Sequence, residues 1–513
     1  MGPLTTISRN IASNAVGYVV AIGAALLMTP FVIHTLGDDS YAIWSLVVSL
    51  TGYYGILDLG IRSAVGQYVT RYWTNQDIGG VNRTMSTAVA MTLPIAVLLL
   101  LLSALIAWLA PALFTLAPSE VPEARLAIVV MGTAVALSFP FGVLGSATYA
   151  RQRFDIANLV GIGERLLNLA LAYWVLAEGH GLIGIAIVTA STQTIAWLLR
   201  CWIAFRLLPG LSLSPRWCNR DSMRELTSFS VYNFLINIAD QIVLSTDLLV
   251  IGIMMPDIDA VTYYSVGGAC ITYFMMIINA VAWTLTPYAT ACDASGDRPA
   301  LRRLWVSGSK NIFLLAGLIG GGLIFLGHDF LSVWIDPGKV SGEKYTSSAT
   351  IMAVLAGATL LRAMMTCGKQ VLFGMRKVRF LARLSMLEAV SNLVLSLILI
   401  KPFGLLGVAL GTLIPIAGTQ LILQPRFLAH TLELSLRQFV VRAAPGGLMV
   451  LATMGAVSWG VTDLLPVSGW PSLILKATVV TAPALLVGVL LGTTREEKQR
   501  VRRKLGLVAS TSE

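Results

Sequence analysis

This chain is poor in charge, poor in histidine, and without any patterned set of cysteines. Only 12% of its 513 residues are Asp, Glu, Lys or Arg, where a soluble domain carries about 25%. With 56% hydrophobic residues and a mean hydropathy of +0.77, its main solvent is a bilayer. The five cysteines (Cys201, Cys218, Cys270, Cys292 and Cys367) show neither metal-ligand spacing nor a disulfide framework. Four histidines leave little material for acid–base work. No G-x-x-x-x-G-K-[ST] phosphate loop occurs, since the Gly368-Lys369 pair lacks the earlier glycine. HExxH and GxSxG are missing too. These absences exclude direct use of ATP by this chain and leave no catalytic residue and no metal site to name. No loop is long enough to display the acids that a glycosyltransferase or polymerase needs, which disfavours a membrane enzyme.

What the chain has is an alternation of charge from connection to connection. Every second connection, beginning with Arg9, is basic, and together they hold 27 of the 36 Lys and Arg residues. The intervening loops hold five, Arg125, Lys339, Lys344, Lys401 and Lys476. Net charge is +17 on the first set of connections and −6 on the second. This is the positive-inside pattern of a polytopic membrane protein with both termini cytoplasmic. The overall charge of +10 therefore sits where anionic headgroups are, and nucleic acid is not an expected partner. Met1–Ser8 lacks the basic n-region of a secretory signal, so the apolar run after it is expected to stay as the first transmembrane helix.

A span needs about 20 apolar residues. The segments that qualify are 10–34, 41–66, 83–109, 124–149, 156–177, 181–205, 226–254, 260–289, 307–327, 346–374, 379–400, 404–424, 438–463 and 470–492. The expected fold is all-α, with about 14 transmembrane helices. The chain also repeats itself. Residues 151–190 match 375–413, with Glu164 on Glu388, Asn168 on Asn392, and Gly181-Leu-Ile-Gly-Ile-Ala on Gly404-Leu-Leu-Gly-Val-Ala. A weaker match pairs YVTRYWTNQD at 68–77 with YATACDASGD at 288–297. The offset spans six helices, an even number, so the two halves have like orientation and are related by an axis along the membrane normal. The expected division is an N-terminal lobe over 1–206, a cytoplasmic linker over 207–225, a C-terminal lobe over 226–428, two added helices over 429–492, and a basic cytoplasmic tail over 493–513.

The opening stretch has a specific look. Ser13-Asn14, Pro30, Leu36-Gly37, Tyr41, Trp44, Asp58-Leu-Gly60 and Ala64 resemble the polysaccharide-transport branch of the multidrug/oligosaccharidyl-lipid/polysaccharide exporter superfamily, which includes the Wzx-type flippases. The resemblance covers helices 1–12 and is most specific over 10–90. It implies a V-shaped, two-lobed transporter of the bacterial cytoplasmic (inner) membrane, like the multidrug extruders of that superfamily. It implies as substrate an undecaprenyl-diphosphate-linked oligosaccharide, moved outward for surface polysaccharide assembly. A polysaccharide polymerase and a chain-length regulator are then the expected partners, alongside the bilayer itself. No cofactor is expected beyond H⁺ or Na⁺ as a coupling ion. A multidrug or cation antiporter, a peptidoglycan-precursor flippase and a scaffold subunit of an assembly complex are the competing readings.

An ionisable group inside a span costs about 2.5–3.5 kcal/mol on insertion scales and is a functional candidate by default. Arg62, Arg362 and Lys369 are the candidate ligands of a diphosphate, because guanidinium forks match phosphate oxygens. Asp58 lies four residues before Arg62 on one helical face, and a self-neutralised pair is the competing reading. Arg362, Thr366 and Lys369 form one stripe, with a structural bridge from Arg362 to Glu388 or Asp240 as its alternative. Asn233, Asn237, Gln370 and Tyr273 are candidates for glycan contact. Asp58, Asp240 and Asp247 are candidates for ion coupling, with simple charge balance as the alternative. Glu164 and Glu388, each followed four residues later by Asn168 or Asn392, are expected to be a structural pair that closes each half by hydrogen bonds.

Overall fold

The computed structural model describes the backbone of residues 3–58, 61–151, 153–227, 231–335, 338–342 and 344–492. Some side chains within these ranges, Asn233 and most of residues 1–19 among them, lie outside the described set. The expected tail over 493–513 also lies outside it. Among the described residues every regular element is helical. The longer helices are α1 (Pro3–Leu36), α2 (Asp38–Tyr54), α3 (Ile61–Thr74), α4 (Ile78–Leu113), α5 (Val121–Ala150), α6 (Phe154–Ala177) and α7 (Gly181–Leu207). The short α8 (Arg220–Thr227) leads into α9 (Val231–Met254), α10 (Ala260–Ala282), α11 (Thr286–Ala294) and α12 (Arg298–Phe325). Two short helices, α13 (Gly327–Trp334) and α14 (Gly338–Ser341), precede α15 (Ser348–Gly374) and α16 (Val378–Gly418). The chain ends with α17 (Gln424–Leu432), α18 (Leu436–Val461) and α19 (Trp470–Gly492).

Twelve stretches among the described residues are long and apolar enough to cross a membrane, so the protein is a multi-pass membrane protein. Fourteen is not reached on those terms, for two local reasons. The apolar described part of α1, Val20–Leu36, is short. The stretch Val378–Leu432 counts as a single span of 55 residues, which at 1.5 Å per residue is about 80 Å, far more than a hydrocarbon core of about 30 Å. It folds back at Gly404, whose φ of 55° and ψ of −134° are non-helical and belong to glycine alone. Ser396 Oγ then bonds Val408 O at 3.5 Å across the hairpin, and a Cβ on Gly407 would lie 2.0 Å from Leu399 O.

The sequence repeat is visible in the backbone. Gly181 and Gly404 share a positive φ, 57° and 55°. Gln76 and Gly296, matched in the weaker repeat, do too, at 58° and 71°. The next residue of each turn caps a helix, Asp77 accepting from Gly80 N at 2.7 Å and Asp297 from Ala300 N at 2.9 Å. The matched asparagines do the same job as well. Asn168 Nδ2 donates to Thr189 and Thr192 at 3.3 and 3.1 Å, and Asn392 Nδ2 to Thr412 at 2.8 Å. Each clamps the two helices of one hairpin.

Two compact units divide the chain at Ser265 and Val266. They do not coincide with the sequence repeats, because α9 packs along α2 within the first unit. In that unit the core of α3, α4 and α5 is built from Ile61, Ala64, Val65, Val69, Met85 and Val143, all 2% exposed or less. The connection after α7 is strapped to the polar face of α4, with Asn82, Ser86 and Thr87 bonding the backbone of residues 210–219. In the second unit α18 and α19 pack through Val450, Met454, Val480 and Ala484. Lys476, counted above with the outer loops, lies within α19, is 4% exposed and pairs with Asp329 at 2.7 Å. Lys310, counted with the basic connections, is likewise buried within α12. Leu101, Trp108, Leu159 and Ile474 are all more than 60% exposed, which suits a lipid-facing surface.

Candidate functional site

The first unit contains a break in its second membrane segment. α2 ends at Tyr54, a 3₁₀ turn follows over Gly55–Asp58, and α3 resumes at Ile61. Helix breaks inside a membrane are tolerated where they line a cavity or are buried in protein. The break sets Asp58 at the end of one piece and Arg62 in the first turn of the next, with Arg62 Nε 3.0 Å from Asp58 Oδ1. The two atoms are close but not aligned, and both are buried without a hydrogen-bond partner. On its other side the Arg62 guanidinium donates from Nη2 to the carbonyl and hydroxyl of Ser138 on α5, at 3.2 and 3.3 Å. It lies so flat on α5 that a Cβ at Gly142 would sit 2.8 Å from Nε.

Aromatic rings complete the setting. Arg62 stands 5.1 Å from the ring centre of Phe139 and 5.5 Å from that of Trp197, while Arg200 stands 4.5 Å over the same tryptophan. A quadrupolar ring within reach of two guanidiniums favours both by about 0.5–2 kcal/mol each, depending on desolvation. Around them opens a cavity of about 380 Å³, lined by Arg62, Arg200, Trp197, Ser146 and Thr148 with glycines on α3 and α5. Arg200 also lies within electrostatic range of Glu164 and Arg165 on α6, and Arg165 ties α6 to α1 through Gly17 O at 3.1 Å. The cavity thus has two guanidiniums in its wall, each with a carboxylate in electrostatic reach, Asp58 for Arg62 and Glu164 for Arg200. It lies toward the α5–α6 turn, one of the basic connections, with Thr148 and Ala157 on its rim.

The other sequence candidates fall in different settings. Arg362 in the second unit is paired with Glu388, with side-chain exposures of 20% and 6%. Glu388 accepts further from Thr419 at 2.7 Å and Gln420 at 3.1 Å. This is the bridge that stood as the alternative for Arg362. Gln370 accepts from Thr286 at 2.7 Å and is 4% exposed, while Lys369 beside it is half-buried. The reason is that α15 is the most enclosed of the twelve spans, 72% buried. On α9, Asn237 is exposed and Asp240 half-buried. Asp247 is 6% exposed and accepts from Tyr264 OH at 2.5 Å, and Tyr273 on α10 is half-buried. The side chain of Asn233 lies outside the described residues.

Arg200 and Trp197 are the residues that the sequence reading missed. Arg200 sits within the apolar segment 181–205, and that alone sets it apart from the loop arginines. Trp197 carries no signal in sequence, since membrane helices use tryptophan freely.

Comparison with known proteins agrees with this architecture. Similar over nearly the whole chain is the uncharacterized membrane protein EpsK of Bacillus subtilis, 21% identical over 96% of this chain and 97% of its own length. A putative O-antigen transporter of Salmonella typhi is 22% identical over 80% of this chain and 92% of its own. Among solved structures, an inward-facing multidrug-resistance MATE transporter of the MOP superfamily has a TM-score of 0.67 at 14% identity, covering 82% of this chain and 95% of that one. The lipid II flippase MurJ has a TM-score of 0.67 at 13% identity, covering 98% and 99%. At these identities the likeness establishes the fold, a MATE-like and MurJ-like helical transporter architecture, and does not choose between an extruder and a flippase. The named relatives and neighbours with an assigned role are transporters and flippases, not enzymes. Residues 37–316, more than half of the sequence, match the polysaccharide biosynthesis protein family model, and the chain belongs to that family.

Proposed function

We propose that this protein is a flippase that moves a polyprenyl-diphosphate-linked oligosaccharide from the cytoplasmic to the outer leaflet of the bacterial inner membrane, for surface polysaccharide assembly. The observation that carries the reading is the cavity on Arg62 and Arg200. A diphosphate brings about two negative charges and accepts forked guanidinium bonds. Burying such an anion in a membrane protein demands cations already in place, because its desolvation is otherwise too costly. Arg62 offers a buried Nε with no aligned hydrogen bond, and Arg200 a second guanidinium beside the same tryptophan. The volume of about 380 Å³ is at the small end of the range of roughly 300–1,000 Å³ for ligand sites. It has room for a diphosphate and the sugar next to it, not for a long prenyl chain. That chain stays in lipid, since each exposed CH₂ costs about 0.8 kcal/mol.

In this reading Arg362 holds its helices together through Glu388, and Lys369 is the candidate cation of the second unit. Direction comes from a proton or sodium gradient or from removal of product by a polymerase, because a substrate bound equally in both states shifts nothing. A cationic cavity counts against the extruder reading, which needs acids for cationic drugs. The test is the leaflet distribution of the lipid-linked glycan in cells carrying Arg62→Ala with Arg200→Ala, at matched protein level in the membrane. Accumulation on the cytoplasmic leaflet with loss of surface polysaccharide is expected. A normal distribution accompanied by altered drug sensitivity refutes the proposal in favour of the extruder.

A further inference from the structure

Ser45, Ser49, Gly52 and Tyr53 recur at helical spacing and form one stripe along α2. That stripe faces α9 and the start of α10. Ser49 Oγ donates to Ser245 O at 2.8 Å, and Ser45 Oγ lies 3.5 Å from Ser265 Oγ. Tyr53 OH bonds Thr246 Oγ1. Gln241 Nε2 donates to Ser245 Oγ at 2.5 Å. The two helices approach closely, since a Cβ on Gly52 would lie 2.8 Å from Gln241 Nε2 and 3.3 Å from Ser245 Oγ. The seam starts at the acidic ends of these helices, where Thr262 Oγ1 donates to Asp38 O at 2.7 Å. It stops before the break at Gly55–Asp58.

The opposite face of α2 is built differently. Tyr54 packs with Ala96, Leu99, Ala136 and Phe139 of α4 and α5, with a single hydroxyl pair, Tyr54 OH and Ser103 Oγ at 2.9 Å, among them, and α3 beyond the break lies in an apolar core. So α2 is attached to the first repeat mainly by apolar packing with one hydroxyl pair, and to α9 and α10, which open the second repeat, by a row of hydroxyl contacts beside the packing of Leu46 on Gly252. An apolar seam has nothing to offer a sugar. A hydroxyl seam is satisfied by itself when closed and by sugar hydroxyls or water when open, so its groups keep partners throughout. Charge places its acidic end on the outer side.

We infer that this hydroxyl seam is the outer gate, and that its serine, tyrosine and glutamine groups exchange one another for the hydroxyls of the departing glycan. The inference rests on the flippase reading above and adds the exit path and its contacts to it. The break at Gly55–Asp58 is then the hinge that frees α2 from the course of α3.

The gate is tested with Ser45→Cys and Ser265→Cys in one chain. Their hydroxyl oxygens stand 3.5 Å apart, close enough for sulfurs to reach the ~2.05 Å of a disulfide with small adjustment. Oxidation in cells is expected to cut surface polysaccharide export at least tenfold, with lipid-linked glycan building up on the cytoplasmic leaflet, and reductant is expected to restore the level of the same protein before oxidation. Undiminished export by the cross-linked protein overturns the gate. The glycan contact is tested separately with Ser49→Ala and Tyr53→Phe, which keep the packing and remove the exchangeable groups. A drop in export of about fivefold at matched protein level is expected, and unchanged or faster export overturns the contact. If the flippase reading itself is wrong, the cavity double variant leaves the glycan distribution normal. If only the gate is wrong, that variant still traps the glycan inside while the cross-link has no effect.

Discussion

Removing Arg362 separates a structural arginine from a substrate-binding one. The guanidinium is paired with Glu388, a carboxylate 6% exposed that also accepts from Thr419 and Gln420. Arg362→Ala leaves that carboxylate buried beside two neutral donors. Breaking one side of a buried pair costs about 3–5 kcal/mol, because the remaining charge is uncompensated. For a unit of some 250 residues, at about 2–4 °C per kcal/mol, the melting temperature falls by on the order of 10 °C. Arg362→Ala combined with Glu388→Gln removes the orphaned charge, keeps an amide oxygen to accept from Thr419 and Gln420, and is expected to recover at least half of that loss. The assay is thermal unfolding of the detergent-solubilised protein, followed by the loss of its monodisperse chromatographic peak, with export measured in parallel at matched protein level. The result that refutes the reasoning is an Arg362→Ala protein that melts within about 2 °C of the wild type and yet fails to export. That would assign Arg362 to substrate.

Three further perturbations follow from the same geometry. Asn392→Ala should destabilise more than Asn168→Ala, by about 1 kcal/mol against a few tenths, since Asn392 is 1% exposed and Asn168 is half-buried; equal melting temperatures for the two variants count against the clamp. Gly404→Ala, at φ 55° and ψ −134°, should cost about 1–3 kcal/mol of stability, measurable as lowered melting temperature and lowered membrane abundance; an unchanged variant argues against the tight turn. Trp197→Ala removes the ring shared by Arg62 and Arg200 and should reduce export severalfold while Trp197→Phe retains part of it, with melting temperatures of both close to wild type; a tryptophan that matters only for folding will instead lower export and melting temperature together.

Much of the fold was legible in the sequence because the bilayer enforces it. Apolar length is a strong constraint, and helices run through the expected spans, with the expected segment 41–66 interrupted by the turn at Gly55–Asp58. The repeat was legible for the same reason in a finer form, since the amide N–H groups of Asn168 and Asn392 must find acceptors inside a hydrocarbon medium, and Thr189, Thr192 and Thr412 supply them. What sequence could not show is which side of a helix is enclosed. Arg362, Thr366 and Lys369 form one stripe on a helical wheel with Gln370 beside it, yet α15 is wrapped by its neighbours, and Arg362 and Gln370 bond side chains of other helices. Conversely, Arg200 looks like one more basic residue at the approach to a cytoplasmic connection, and only the fold brings it to the same tryptophan as Arg62. Charge spacing along one helix reports local geometry. The cavity depends on α3, α5, α6 and α7 meeting, and no single stretch encodes that.

The clamps and the seam also differ in when they can exist. Asn168 reaches Thr189 across 21 residues and Asn392 reaches Thr412 across 20, so each hairpin closes as soon as its second helix has left the ribosome. Ser49 meets Ser245 across 196 residues, and that contact must wait for eight helices to be in place. Contacts that join distant parts of a chain close late, and the regions held by few apolar contacts are the first to reopen in the finished protein. Synthesis therefore lays down rigid hairpins first and adds the polar seam last, which leaves the moving part of the molecule as the part least woven into the rest.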